Sequence, residues 1–330
     1  MQKQICLLLS LLLICTFFSG TASAEAVTRE ISKDISASAI DISSVPDYSG
    51  TDYIVLNGNL PDFYVWQITK RPYIRFSQLD ELGRTGAGMA CLGMETLPTT
   101  SRSVIGDIRP SGWHTVRYDD LIEDHYLFNR CHVIAHMLSG DSDTPENLFT
   151  GTRYLNSSSM LQFEIKVGDY IEDTGNHVIY RVTPIYRDED LVATGVQIEA
   201  WSVEDNGAGI CFNVFVYNIQ PGILIDYLTG ESERDPNYDS SNDSTLHLFA
   251  TGAGENAVSD RSRSEEFIFE SDSQESSTSV SFILNLNTQK FHLPTCSSVL
   301  ETSPRNRQAF FGTRDEAIAA GYQPCGRCHP

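Results

Sequence analysis

Basic residues are scarce in this sequence. Its 330 residues include 44 Asp and Glu but only 23 Lys and Arg, which gives a formal net charge of -21 at pH 7. So acidic a composition argues against a protein that binds polyanions over its whole surface through general positive charge. Any contact with a polyanion must be confined to a local basic groove or to a bound metal ion, and it should weaken as salt rises.

Long apolar runs are also missing, except at the N terminus. There the run from Ile5 to Phe18 follows Lys3 and precedes the small residues Ala22-Ser23-Ala24. This order is typical of a secretory signal peptide, so we predict that residues 1–24 are removed. A membrane anchor is the alternative, but the run is short for a bilayer span. We therefore expect a protein without stable membrane insertion that is secreted or held at the cell surface.

Few cysteines remain once the predicted signal peptide is removed. Three of the six lie in the last 35 residues at spacings typical of metal ligands, and the other three are an odd number. This distribution argues against a complete disulfide framework, although export favours disulfides and one pair among Cys91, Cys131 and Cys211 stays open.

Composition divides the rest of the chain into four parts. Residues 25–45 are polar and predict a flexible lead-in, whereas residues 46–230 are rich in Val, Ile, Tyr and Phe and predict the main folded domain. Residues 231–279 contain 12 acidic and 3 basic residues among many serines, which predicts a linker. Residues 280–330 contain 5 basic and 3 acidic residues and predict a small separate module.

Apolar periodicity in the main domain predicts an α+β fold with an antiparallel sheet core. Residues 177–186, 191–203 and 210–219 alternate apolar with polar residues or are β-branched, as in successive strands. Residues 157–175 have apolar side chains at helical spacing and end at a glycine, so they predict an amphipathic helix with Ser157 to Ser159 as candidate caps.

Four polar residues around this helix could form a hydrolytic site. His132 and Asn147 precede the helix, while Asn156 and Glu164 are eight residues apart and could share one helix face. A histidine base, an amide oxygen and a carboxylate suit metal-assisted hydrolysis of a phosphodiester. The alternative is structural: the asparagines cap turns and His132 is a core residue.

A family resemblance favours the hydrolytic interpretation. "NRCHVIAHML" followed by "ENLFTGTRYLN" resembles the DRGH-plus-asparagine signature of the DNA/RNA non-specific endonucleases, the ββα-metal or His-Me finger group, and most of all its DNA-entry nuclease branch. The likeness extends over most of the main domain and includes "GNHVIYRVTPIY" and "FNVFVYNIQPGILIDYLTG". It departs from the signature at Asn129, in place of Asp, and at Cys131, in place of Gly.

The resemblance implies a role for each polar residue. His132 would be the general base, and Asn156 would bind Mg²⁺ or Mn²⁺. Glu164 would be a carboxylate near the metal-bound water. Arg130 would contact phosphate, and Asn147 would support the site.

Three further side chains in this region have weaker claims to a role. His132 and His136 are four apart, but no third residue at zinc-ligand spacing accompanies them. Cys131 is next to His132, yet adjacent residues on a strand point apart and would not form a nucleophile-base pair. Arg153 could reach a phosphate from the start of the helix, or it could be an ordinary surface arginine.

The C-terminal module contains a second group of candidate ligands, namely His292, Cys296, Cys325 and Cys328. Three thiolates and an imidazole suit tetrahedral Zn²⁺, and a module this small needs such a staple. A Cys325–Cys328 disulfide is the alternative. The stretches "FILNLNTQKFHLPTCSSV" and "AIAAGYQPCGRCHP" resemble the metal-binding module of the Ada DNA-repair protein, with His292 in place of one cysteine.

Together these features predict a secreted, Mg²⁺-dependent endonuclease that hydrolyses DNA and RNA without strong sequence preference and carries a zinc module. Two other classes stay open: a non-catalytic extracellular DNA-binding protein that uses the zinc module, and a disulfide-stapled extracellular interaction protein. The sequence gives no sign of an inhibitor partner.

Overall fold

The computed structural model describes residues 27–32, 40–122, 124–239, 282–293, 306–310 and 313–330, together with residues 35, 296, 298, 299 and 302. The predicted signal peptide and residues 240–279 of the predicted linker lie outside this described part. Within it, no helix combines the length and the apolar composition needed to span a bilayer.

The described elements are mainly strands. In chain order the strands are β1 Thr28–Ser32, β2 Tyr53–Val55, β3 Tyr73–Ser77, β4 Gly88–Leu92, β5 Phe128–His132, β6 Leu148–Thr152, β7 Val178–Ile185, β8 Gly195–Ser202, β9 Cys211–Tyr217, β10 Ile223–Ile225, β11 Ser232–Arg234, β12 Phe282–Asn285, β13 Lys290–His292, β14 Arg307–Phe310 and β15 Gln323–Pro324. The α-helices are α1 His136–Ser139, α2 Leu161–Thr174 and α3 Arg314–Ala319.

A seven-stranded sheet forms the centre of the fold, with strand order β1-β3-β4-β7-β8-β9-β2. All neighbours pair antiparallel except β1 and β3, which are parallel. The strands β7, β8 and β9 are those predicted from apolar alternation, and they are almost entirely buried because both faces of the sheet are covered. The predicted α+β class with an antiparallel sheet core is confirmed.

One face of the sheet, the front face, packs against the β5–β6 hairpin and α2. Ile74, Phe76 and Tyr180 point into this core, where they meet Phe163, Val167 and Ile171 of α2. These helix residues recur at the predicted spacing, and each buried apolar side chain contributes about 1.5–3 kcal/mol to folding. α2 ends as predicted at Gly175, which has φ of 67°.

The other face, the back face, packs against the C-terminal module. In this module β12, β13, β14 and β15 form a four-stranded sheet, and α3 begins at Thr313 in a capping box with Glu316. Ile283, Cys296 and Cys325 of the module share an apolar cluster with Met89 and Cys91 of β4. The Arg307 guanidinium also donates to the Phe63 carbonyl at 2.9 Å. The module therefore covers part of the back face of the central seven-stranded sheet.

Three local expectations were wrong. The lead-in is not wholly flexible, because residues 28–32 form β1 against β3. Order also extends beyond residue 230, since β11 pairs with β10 and Arg234 forms an ion pair with Asp120. The serines at the start of α2 do not cap it; residues 155–159 form a π-helical turn that runs into α2, and the Ser157 hydroxyl donates to the Arg153 carbonyl.

A buried ion pair joins the sheet to the segment on which the C-terminal module rests. The Arg181 and Glu199 side chains are both 1% exposed, and their closest N–O distance is 2.6 Å. Glu199 also accepts a hydrogen bond from the Asp62 backbone N–H at 2.7 Å, and the Arg181 guanidinium lies over the Phe63 ring. Residues 62 and 63 are thus fixed to β7 and β8 through this pair.

Removing one member of the pair should destabilise the fold more than removing both. Arg181→Met leaves the Glu199 carboxylate buried beside a neutral side chain, so we expect the free energy of unfolding to fall by about 3–5 kcal/mol. The double variant Arg181→Met/Glu199→Gln should recover a substantial part of that loss. Urea unfolding followed by tryptophan fluorescence measures both. A double variant less stable than Arg181→Met would contradict this account.

Candidate functional site

The β5–β6 hairpin forms one wall of the candidate site. Strand alternation points Cys131 into the core and its neighbours Arg130 and His132 toward a surface cleft. A side chain at Gly151 on β6 would collide with the Cys131 sulfur, so this cysteine fits because the facing strand has a glycine there. The departure at Cys131 is therefore accommodated by packing in the core, away from the cleft.

His132 is held in a defined orientation. Its Nε2 lies 3.0 Å from the Ser142 carbonyl oxygen, which can only accept a hydrogen bond, so Nε2 carries the proton and Nδ1 keeps its lone pair. Burial lowers the pKa of His132 and the positive charge of Arg102 lowers it further, while the Ser142 carbonyl and Asp141 act in the opposite direction. The net lowering keeps the imidazole neutral near neutral pH.

Asn147 organises the loop that supplies the Ser142 carbonyl. Its side chain is fully buried; Oδ1 accepts from the Ile134 N–H at 2.8 Å, and Nδ2 donates to the Ile134 carbonyl and to Asp141. Asp141 in turn accepts from the Thr144 hydroxyl. Asn147 does not line the cleft; it lies beneath it and contacts the loop that carries Ser142.

The opposite wall comes from the π-helical turn and α2. Asn156 lies in that turn and Glu164 in the first turn of α2, and both line the same cleft as His132. Glu164 is 8% exposed and forms no hydrogen bond or ion pair with any described residue. Burial raises its pKa to about 7, against a smaller lowering by Arg102. A buried carboxylate without a partner, in the same cleft as an amide side chain, fits a bound cation.

The cleft between these walls has a volume of about 770 Å³ and is open to solvent on one side. It is lined by five of the six residues predicted for the nuclease site, namely Arg130, His132, Arg153, Asn156 and Glu164. The sixth, Asn147, lies beneath it.

The two predicted phosphate-binding arginines already have partners. Arg130 donates from Nε to the Ile108 carbonyl at 2.6 Å and from Nη2 to the Gly106 carbonyl at 2.7 Å, and it stacks on the Trp113 ring. It therefore holds the loop above the cleft. Arg153 forms an ion pair with Asp124.

Arg102 is the cleft residue that the sequence did not reveal. It is exposed, it forms no ion pair with the described residues, and its charge acts on His132, His136 and Glu164. No pattern in the surrounding "TTSRSVIG" could have identified it, because the residue reaches the cleft through a long irregular loop.

The structure does not support the two other interpretations of this hairpin, which were a Cys131–His132 nucleophile-base pair and a zinc site at His132 and His136. Cys131 is buried on the other side of the strand from His132, and burial raises the pKa of its thiol far above the ordinary value. His136 lines the cleft, but among the described residues the group of three or more His, Cys, Asp or Glu side chains with converging ligand atoms lies in the C-terminal module.

That group consists of the four predicted ligands of the module. The ligand atoms of His292, Cys296, Cys325 and Cys328 all lie within 4.8 Å of one another. Backbone N–H groups of Leu293 and Arg327 donate to the sulfurs of Cys328 and Cys325 at 3.4 and 3.3 Å, as is common around metal-bound thiolates. The donor set and its convergence fit a tetrahedral metal ion.

The six described cysteines are all unpaired. Cys91, Cys131 and Cys211 are all free, so the pair left open among these three does not form. Cys325 and Cys328 converge on His292 and Cys296 instead of bonding to each other.

Comparisons with known proteins match the two parts of the chain that contain these groups of residues. The family model "DNA/RNA non-specific endonuclease" matches residues 66–204, and the model "Metal binding domain of Ada" matches residues 270–330. NucA from Streptococcus agalactiae with no metal bound is a similar solved structure, with 27% identity and a TM-score of 0.51 over 59% of this chain and 92% of that one. NucA from the same organism with magnesium ion bound has 25% identity and a TM-score of 0.51 over 59% and 93%.

Loss of the Asn147 side chain should destabilise the loop under His132. Asn147→Ala leaves the buried Ile134 N–H unsatisfied and removes one of the two side-chain hydrogen bonds to the Ile134 carbonyl, so we expect the free energy of unfolding to fall by about 2–3 kcal/mol. Asn129→Ala is the matched control, because Asn129 is half-buried at the cleft and makes no side-chain hydrogen bond with described residues; its effect should be below about 0.5 kcal/mol. Equal effects in urea unfolding would contradict the role of Asn147.

Proposed function

We propose that this protein is an exported, Mg²⁺-dependent nuclease that cleaves DNA and RNA without strong sequence preference, because residues 66–204 match the DNA/RNA non-specific endonuclease model and residues 270–330 match the metal-binding domain of Ada. His132 is the general base of this reaction. Export is supported by the apolar segment and small-residue motif in residues 1–24.

The observation that carries the proposal is the orientation of His132. With Nε2 donating to the Ser142 carbonyl, the Nδ1 lone pair is the basic site of the ring, and the lowered pKa keeps it unprotonated near neutral pH. Such a group can take a proton from a water molecule as the water attacks phosphorus. The imidazolium formed is stabilised by the Ser142 carbonyl and by Asp141.

Asn156 and Glu164 are the residues that would hold Mg²⁺ and its waters. Their oxygen atoms are the hard ligands that this ion prefers, and the unpartnered buried carboxylate of Glu164 supplies the compensating charge. When bound, the ion neutralises negative charge on the phosphoryl oxygens and on the leaving oxygen. The similarity to NucA with magnesium ion bound supports the choice of metal.

Substrate contacts at this cleft are directed to phosphate. Arg102 provides an uncompensated guanidinium close to the general base, while Arg153 could exchange its exposed ion pair with Asp124 for a phosphate. Arg130 acts by positioning the loop over the cleft. Contacts to phosphate carry no sequence information, which accounts for a non-specific enzyme that accepts both DNA and RNA. In-line attack with departure of the 3'-oxygen leaves 5'-phosphate ends.

Removing the base should abolish cleavage without unfolding the protein. We expect His132→Ala to lower the plasmid cleavage rate by about 10²- to 10⁴-fold, which is the usual contribution of general base catalysis. We also expect EDTA to abolish cleavage by the wild type. His125→Asn is the histidine control, because His125 is half-exposed and asparagine tolerates its positive φ. Undiminished cutting by His132→Ala, or equal loss in both variants, would overturn the assignment.

The C-terminal module should bind one structural Zn²⁺. We expect one zinc per chain by elemental analysis and its loss in Cys325→Ser, with a lower unfolding temperature because the site borders the back-face core. Cys91→Ser is the control, since Cys91 is a buried cysteine in the same cluster that lies outside the ligand set, and it should retain the zinc. A zinc-free wild type with a Cys325–Cys328 disulfide by mass spectrometry would refute this part of the proposal.

A further inference from the structure

A second groove lies on the back face, near the C-terminal module. It has a volume of about 370 Å³, and its lining includes Tyr64, Trp66 and Arg71 together with Tyr73 and Arg75 of β3. On that strand Ile74 and Phe76 point into the front-face core, so Tyr73 and Arg75 point the other way. The back-face groove is thus separated from the catalytic cleft by the central sheet.

The groove carries an exposed aromatic platform. The Tyr64 and Trp66 rings stack with centroids 5.8 Å apart and an angle of 12° between their planes, and Trp66 is 72% exposed. Their short 3₁₀ helix, Val65–Gln67, is anchored by the buried Gln67 side chain, which accepts from the Tyr64 N–H at 2.8 Å and approaches the Met89 sulfur at 3.5 Å. The two rings therefore form a preorganised flat surface in solvent.

The charge around the platform is positive, although the protein as a whole is acidic. The ten lining residues include two arginines and no acidic residue. Arg75 is paired with Glu30, but the exposed Arg71 guanidinium forms no hydrogen bond or ion pair with a described residue. Arg71 is thus an available cation beside an available aromatic face.

We propose that the back-face groove is a second binding site for single-stranded nucleic acid, with a base stacked on Trp66 and a phosphate at Arg71. Exposed aromatic rings interleaved with cations bind single strands because every base offers a π-face and every linkage a charge. A duplex buries its base faces and should bind less well. A neutral glycan could stack on the ring but would gain nothing from Arg71.

This inference rests on the proposed function in one respect: the proposed ligand of the groove and the proposed substrate of the cleft are both nucleic acid. A strand held at the back face stays near the enzyme between cuts and raises its effective concentration at the cleft. Binding should be salt-dependent through Arg71.

The test uses the full chain with His132→Ala and without added Mg²⁺, so that the ligand is not cut and the zinc of the C-terminal module is retained. Trp113→Phe removes the cleft tryptophan, which leaves Trp66 as the exposed reporter because Trp201 is 2% exposed. The probe is an oligothymidine of about 8 nucleotides, within the usual size of single-strand sites. Binding is followed by tryptophan quenching and by the anisotropy of a labelled probe.

We expect saturable quenching, and Trp66→Ala should weaken binding roughly tenfold, as loss of one base stack does. Arg71→Ala should weaken it and reduce the salt dependence. Val65→Ala is the matched control: this half-exposed neighbour does not line the groove and should bind like the parent. Because Trp66 and Arg71 are exposed, unchanged unfolding temperatures will exclude misfolding.

Equal affinity of Trp66→Ala and the parent for oligothymidine would overturn the inference. Quenching by a neutral oligosaccharide but not by oligothymidine would also overturn it. So would a duplex that binds at Trp66 as tightly as the single strand. Plasmid cleavage by the wild type in Mg²⁺ tests the proposed function separately. An enzyme that cleaves while Trp66→Ala binds normally contradicts the second site alone; Trp66-dependent binding without cleavage contradicts the nuclease mechanism alone.

Discussion

The hydrogen bond between His132 Nε2 and the Ser142 carbonyl is the constraint on which the arrangement of the candidate site depends. It fixes the tautomer and turns Nδ1 into the basic atom. The carbonyl is in place because Asn147, at the end of the loop between β5 and β6, bonds to the backbone of Ile134 at the start of the same loop. The hairpin is in turn held to the sheet by the buried Asn218 amide, which bonds to Thr152 and Thr150. A chain of buried amides thus leads from the core to a neutral base.

The central sheet separates two kinds of chemistry. Its front face supports the cleft, where oxygen ligands and a histidine suit a hard cation, and its back face borders the soft thiolate cluster of the C-terminal module. The C-terminal module is attached to the sheet through Arg307, which donates to the Phe63 carbonyl, and the neighbouring Asp62 is held by Glu199 of the buried pair with Arg181. Because cations occur locally, at Arg102 in the cleft and at Arg71 on the back face, an acidic protein can still approach a polyanion.

Local patterns predicted the features that depend on local physics. Strands β7 to β9 followed from alternation, the end of α2 from Gly175, and the C-terminal ligands from cysteine spacing. What could not be predicted depends on distant contacts: β1 and β11 are short and exist because β3 and β10 offer edges to pair with. The π-helical turn at Asn156 and the reach of Arg102 into the cleft have no signature in the chain. Arg130 was expected to meet phosphate, but its nearest acceptors are carbonyls of a loop more than twenty residues upstream.

The fold presents His132 as a neutral imidazole with its free lone pair on Nδ1. The most direct measurement is ¹⁵N NMR of the histidine side chains in the full chain near neutral pH, with the His132 signals assigned by their absence in His132→Gln. We expect a neutral His132 ring that is protonated at Nε2, with a pKa below the ordinary histidine value. A ring that is charged near neutral pH, or protonated at Nδ1, would contradict it.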